Sequence, residues 1–131
     1  MKKRWMFAAA LVLLAALAAG CGGSGGGDAV AAGEELFNQG QIEGSPGCVT
    51  CHSLEAGEAQ VGPSLAGFGE KAAQEAGAAG LSAEEYIRQS IVEPDQVVAE
   101  GFNAGVMPGN YGEVLSDQQL ENLVAFLDSL K

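Results

Sequence analysis

One pentapeptide constrains this chain more than its whole composition does. Cys48-Val49-Thr50-Cys51-His52 is a C-x-x-C-H run, the haem attachment pattern. The chemistry explains the spacing. Two thiols add across the two vinyl groups of haem, and two intervening residues let both cysteines reach. The His directly after the second Cys then lies beneath the iron as proximal ligand. An imidazole on iron keeps one ring N–H, which needs an acceptor to fix the ring's orientation. A bare cysteine pair has other uses. A thioredoxin-type pair sits at a helix start after a strand, and no segment alternates as a strand. A zinc site needs a second pair of ligands, and the chain holds one His. A plain disulfide in an oxidising compartment is the third alternative.

The N-terminus points to such a compartment. Lys2-Lys3-Arg4 is a basic start, and Trp5 to Ala19 is an unbroken apolar run of fifteen residues. That is short of the roughly 20 that a membrane-spanning helix needs and suits a secretory signal. Leu17-Ala18-Ala19-Gly20-Cys21 resembles a bacterial lipobox, with Ala18 where Leu is commonest. The resemblance implies a signal peptide over 1–20 and lipid on Cys21. Cleavage after Ala18 and an uncleaved anchor are the rival readings, and all three place the rest outside the cytoplasm. A Gly-rich tether follows and is taken to Ala32, giving a lipid-anchored linker over 21–32 and a folded domain over 33–131. Such a linker has an end-to-end distance of about 18 Å.

Charge narrows the partners. The chain of 131 residues carries 17 acidic and 6 basic residues, a formal charge of −11. Losing the signal removes Lys2, Lys3 and Arg4. Lys71, Arg88 and Lys131 are then set against all 17 acids, a formal charge of −14. This excludes nucleic acid as a natural partner and predicts redox partners with basic docking surfaces, met at rates that fall with salt.

An all-α domain is expected. Ser116-Asp117-Gln118-Gln119 is a capping box, and Leu120, Leu123, Val124 and Leu127 form one apolar helix face, widened by Phe126 and Leu130. Ser82-Ala83-Glu84-Glu85 is a second capping box, opening a helix through Tyr86, Ile87 and Ile91 that stops before Pro94. A short first helix lies around Glu34–Phe37, ending near Gly40, and Glu70–Glu75 is a further candidate.

The sixth iron ligand follows by elimination. Without the signal, one Met remains, Met107, in Gly105-Val106-Met107-Pro108-Gly109. A Met in such a loop also serves as a packing filler. As a ligand its soft sulfur favours ferrous iron, raises the potential and closes the second axial position.

Taken together, these residues resemble a class I, mono-haem c-type cytochrome of bacterial type over Gly33–Lys131. The resemblance implies three to five helices around one covalently bound haem c, with the N- and C-terminal helices packed together. Gly33 and Phe37 match the family's small and aromatic pair, crossed by Phe126. Gly62-Pro63-Ser64-Leu65 matches its G-P-x-L segment. By that resemblance the Pro63 carbonyl accepts the spare N–H of His52 and Leu65 packs on the haem, a turn with one apolar residue being the plainer reading. Indole contacts seen in some members have no counterpart after processing. Tyr86, Arg88 and Tyr111 are candidates for a propionate contact, a solvated helix residue being the plainer reading of Arg88.

The expected function is one-electron transfer by a membrane-tethered carrier in a respiratory or photosynthetic chain, with no catalytic residue and no small-molecule substrate. A permanent subunit of a membrane oxidoreductase complex is the alternative. A haem peroxidase would need an open iron site, which Met107 opposes, and a gas sensor would need a signalling domain.

Overall fold

The computed structural model describes residues 25–131. The expected signal peptide and the lipid site at Cys21 lie outside the described residues. The elements are α1 (Gly26–Phe37), a hairpin of β1 (Gln41–Ile42) and β2 (Ser45–Pro46), a 3-10 turn at Cys48–Thr50, α2 (Phe68–Ala79) and α3 (Ala83–Val92). A second 3-10 turn (Pro94–Gln96), α4 (Tyr111–Val114) and α5 (Asp117–Ser129) complete the chain. The architecture is helical, as expected, and among the described residues no helix is long and apolar enough to cross a membrane.

The two terminal helices make the most extensive contact between elements. Gly33 explains how closely they approach. A Cβ there would collide with the Asn122 carbonyl oxygen and come within 2.6 Å of its carbon and 2.7 Å of Phe126 Cβ. With no side chain at the crossing, Phe37 and Phe126 meet at 5.5 Å between ring centroids, tilted by 54°. Phe37 and Leu123 are almost fully buried beside this crossing. α5 buries Leu120, Leu123, Val124, Phe126 and Leu127, the face that its spacing predicts.

Both capping boxes form. Ser82 accepts from Glu85 N, and Ser116 from Gln119 N, and in each the third residue reaches back to the cap's own N–H. α2 is longer than Glu70–Glu75. Its Gly69 is a second close approach, since the Gly69 N–H donates to Leu130 O at 2.9 Å and ties α2 to the C-terminus.

Two expectations need correction. The linker does not run to Ala32: α1 begins at Gly26, because Asp28 suits the positive end of the helix dipole and Ala29-Val30-Ala31-Ala32 are helix-compatible. Val30 already packs against the core. The domain thus begins before Gly33. The chain also contains strands, though only a two-residue pair with Gln41 opposite Pro46 and Ile42 opposite Ser45. Their two connecting residues, Glu43 (φ 46°) and Gly44 (φ 86°), are both left-handed, as a tight hairpin requires.

Candidate functional site

The C-x-x-C-H run is folded by its own backbone. The Cys48 carbonyl accepts from both the Cys51 and the His52 amides, at 3.1 and 3.0 Å. Residues three apart eclipse in a 3-10 turn, so Cys48 and Cys51 are brought to one side. Thr50 Oγ1 donates to Gly47 O at 2.6 Å, closing the turn from its side chain. Gly47 itself lies against Gln39 and Gly40, just beyond α1, its N–H donating to Gly40 O at 3.0 Å. Both cysteines are half-buried, and they are not joined to each other in a disulfide. Burial pushes the Cys48 thiol up, a backbone hydrogen bond opposes this, and neighbouring Cys51 adds to the rise.

His52 is oriented from the opposite strand of chain. Segment 62–65 runs beside 51–53, with the Gly62 N–H donating to Cys51 O (2.9 Å) and the Leu65 N–H to Ser53 O (2.8 Å). This brings Pro63 O to 2.9 Å from His52 Nδ1. A carbonyl only accepts, so Nδ1 carries the proton and Nε2 keeps a free lone pair. The ring packs closely against Gly62. A Cβ at that position would stand 2.6 Å from His52 Cε1 and 2.9 Å from Nδ1. The space for the imidazole therefore exists because residue 62 has no side chain.

Leu65 is buried in the core cluster, and Met107 and Cys48 pack against that same cluster as half-buried members. Tyr111 belongs to it too. Its hydroxyl donates to Pro46 O at 2.6 Å, and Asn110 Nδ2 donates to Ser45 Oγ at 2.8 Å. The end of the Met107 loop is thereby fastened to the hairpin that leads into Cys48. Burial pushes the Tyr111 hydroxyl up, so it stays a neutral donor. Tyr86 is raised by burial and by Glu75. Arg88 stands apart: it faces Glu121 of α5 at 4.0 Å and lines a surface groove of about 370 Å³ with Leu81, Glu85 and Val92.

Gly62, Asn110 and the Tyr111–Pro46 bond were not assigned these parts from sequence. The packing need at Gly62 was within reach, because it precedes a Pro whose carbonyl was expected at His52. The Asn110 and Tyr111 clips span 65 residues in sequence, and no local pattern marks them.

The residues present suit a covalently held haem: two thiols on one side of a turn, an imidazole with a free Nε2, and a glycine cradle behind it. Among the described residues no group of three or more His, Cys, Asp and Glu is placed to hold a metal ion. A search of curated proteins gives no match. The family model for Cytochrome c matches residues 30–131, a span that starts inside α1 and takes in both cysteines, His52 and Met107. By that match the chain belongs to the cytochrome c family, electron carriers in which a C-x-x-C-H pair holds one covalently attached haem c.

Proposed function

We propose that this protein shuttles single electrons outside the cytoplasm, tethered to the membrane by lipid on Cys21, within a respiratory or photosynthetic chain. His52 Nε2 and Met107 Sδ would hold its haem iron. The observation that carries this reading is the 2.9 Å contact of His52 Nδ1 with Pro63 O, which commits one ring nitrogen and leaves the other for iron.

Bound haem supplies a one-electron couple at its iron. The chain does the rest. Cys48 and Cys51 hold the group through their sulfurs. Pro63 keeps the imidazole from rotating and makes it more electron-donating. Met107 offers soft sulfur, which favours the reduced iron, and occupies the position a substrate would need. Leu65 and Tyr111, both under a tenth exposed, keep water from the core side. The excess of acids over Lys71, Arg88 and Lys131 selects partners with basic docking surfaces.

The test is an optical spectrum of the purified protein, oxidised and then reduced. A c-type α-band on reduction with the weak far-red band of sulfur-ligated ferric haem is expected. A haem spectrum lacking the sulfur band overturns the Met107 assignment. For the tether, Cys21→Ser should release the protein in soluble form, and continued membrane attachment would refute lipidation at that residue.

A further inference from the structure

Met107 lies in the longest irregular stretch between α3 and α4. Residues 98–109 contain one internal backbone hydrogen bond, Phe102 N–H to Ala99 O at 3.1 Å. Among the described residues a single hydrogen bond ties this stretch to another element. The Gly105 N–H donates to Asp95 Oδ1 at 2.7 Å. Asp95 belongs to the 3-10 turn Pro94–Gln96, which continues directly from α3 and is anchored by buried Pro94. Gly105 has φ of 77°, a left-handed position at which the chain turns.

We propose that Asp95 is a positioning residue for Met107. Its carboxylate grips the loop two residues before the sulfur-bearing side chain, while Asn110 and Tyr111 grip it just after. The inference rests on the reading of Met107 as axial ligand. The magnitude follows from chain statistics. With Gly105 held, the free span around Met107 is 106–109, and with it released the span is 98–109. Closure weight falls with roughly the 3/2 power of length, so tripling the span dilutes any one Met107 position about fivefold. The lost charge-assisted bond adds to this, giving a weakening of about five- to tenfold.

The experiment uses haem-loaded wild type, Asp95→Ala and Asp95→Asn. Ferric protein is titrated with imidazole, which competes with the sulfur, while the sulfur band is followed. Asp95→Ala should bind imidazole about five- to tenfold more tightly. Asp95→Asn, whose amide oxygen still accepts from Gly105, should stay near wild type. Amide exchange in the reduced protein gives a second readout. The Gly105 N–H should be protected in wild type and Asp95→Asn and exposed in Asp95→Ala. Equal imidazole affinity in wild type and Asp95→Ala, or an unprotected Gly105 amide in wild type, overturns the proposal. So does a change in Asp95→Asn as large as in Asp95→Ala, since charge near the iron would then be the cause. Absence of the sulfur band from wild type defeats the ligand assignment itself, and this inference with it.

Discussion

Replacing Gly33 with alanine reverses a rule that holds elsewhere in the same protein. In a helix interior Gly→Ala ordinarily favours folding by about 0.5–1 kcal/mol. At Gly33 the new methyl would lie 2.6 Å from the Asn122 carbonyl carbon and 2.7 Å from Phe126 Cβ. The first neighbour is backbone and cannot rotate away. Carbon–carbon contacts settle at about 3.5–4.0 Å, so α1 and α5 must part by about 1 Å along their whole crossing. Overpacking of this kind costs about 1–3 kcal/mol, and disrupting the Phe37–Phe126 pair costs about 0.5–1.5 kcal/mol more. After the gain in helix propensity, a net loss of about 2–3 kcal/mol remains. That lowers the melting temperature by about 10–20 °C in a domain of this size. The assay is guanidinium unfolding of the haem-loaded protein followed by far-ultraviolet circular dichroism, reading the midpoint at unchanged slope. Gly77→Ala in α2 is the control, because nothing lies within 4 Å of a Cβ there, and it should stabilise. A Gly33→Ala protein as stable as wild type, or a Gly77→Ala protein equally damaged, would refute the reasoning.

Gly62→Ala should push the His52 ring off its place and loosen its bond to Pro63, seen as a partly high-spin spectrum with covalent haem retained. An unchanged low-spin spectrum would show that the cradle is not needed. Met107→Ala should open the iron to cyanide and lower the reduction potential while keeping the haem, and a native potential in that variant would remove Met107 as ligand. Glu85 accepts from the Ser82 N–H at 2.8 Å, and this bond, with that to the Ser82 side chain, holds its pKa below the usual carboxylate range. A lowered value means that the contribution is present above the unfolded pKa and lost as pH falls through the folded one. The gap in urea midpoint between wild type and Glu85→Ala should therefore be open at neutral pH and close below about pH 4. A gap that persists in acid would show that Glu85 acts by packing or propensity instead.

What was legible from sequence depended on how local the cause was. Ser82–Glu85 and Ser116–Gln119 complete their hydrogen bonds within one turn, so the pattern and the structure coincide. His52 and Pro63 lie 11 residues apart, and their pairing came from resemblance, not from spacing. The start of α1 is hidden because its two leading glycines read as tether, although Asp28 and then Ala29–Ala32 follow them. α2 was underestimated because its N-cap, Gly67, makes no side-chain cap, so the usual start signal is missing. The hairpin has a weak local signal because Glu43 occupies a left-handed position where Asn or Gly would mark the turn. The Asp95–Gly105 and Tyr111–Pro46 bonds depend on how the loops meet in space, which nothing in either local sequence encodes.

The crossing of α1 on α5 also sets the order in which this molecule can be made. Gly33 of α1 meets Asn122 of α5, so the main interface joins the first helix of the described chain to the last. During synthesis no portion of the chain lacking its final residues can close that interface, and contacts of such long range form slowly in any case. A polypeptide emerging from a ribosome or threading through a translocation channel therefore stays open until its tail arrives. Throughout that interval Cys48 and Cys51 belong to a chain whose main interface is still open, so a haem could reach both thiols before the last helix packs down.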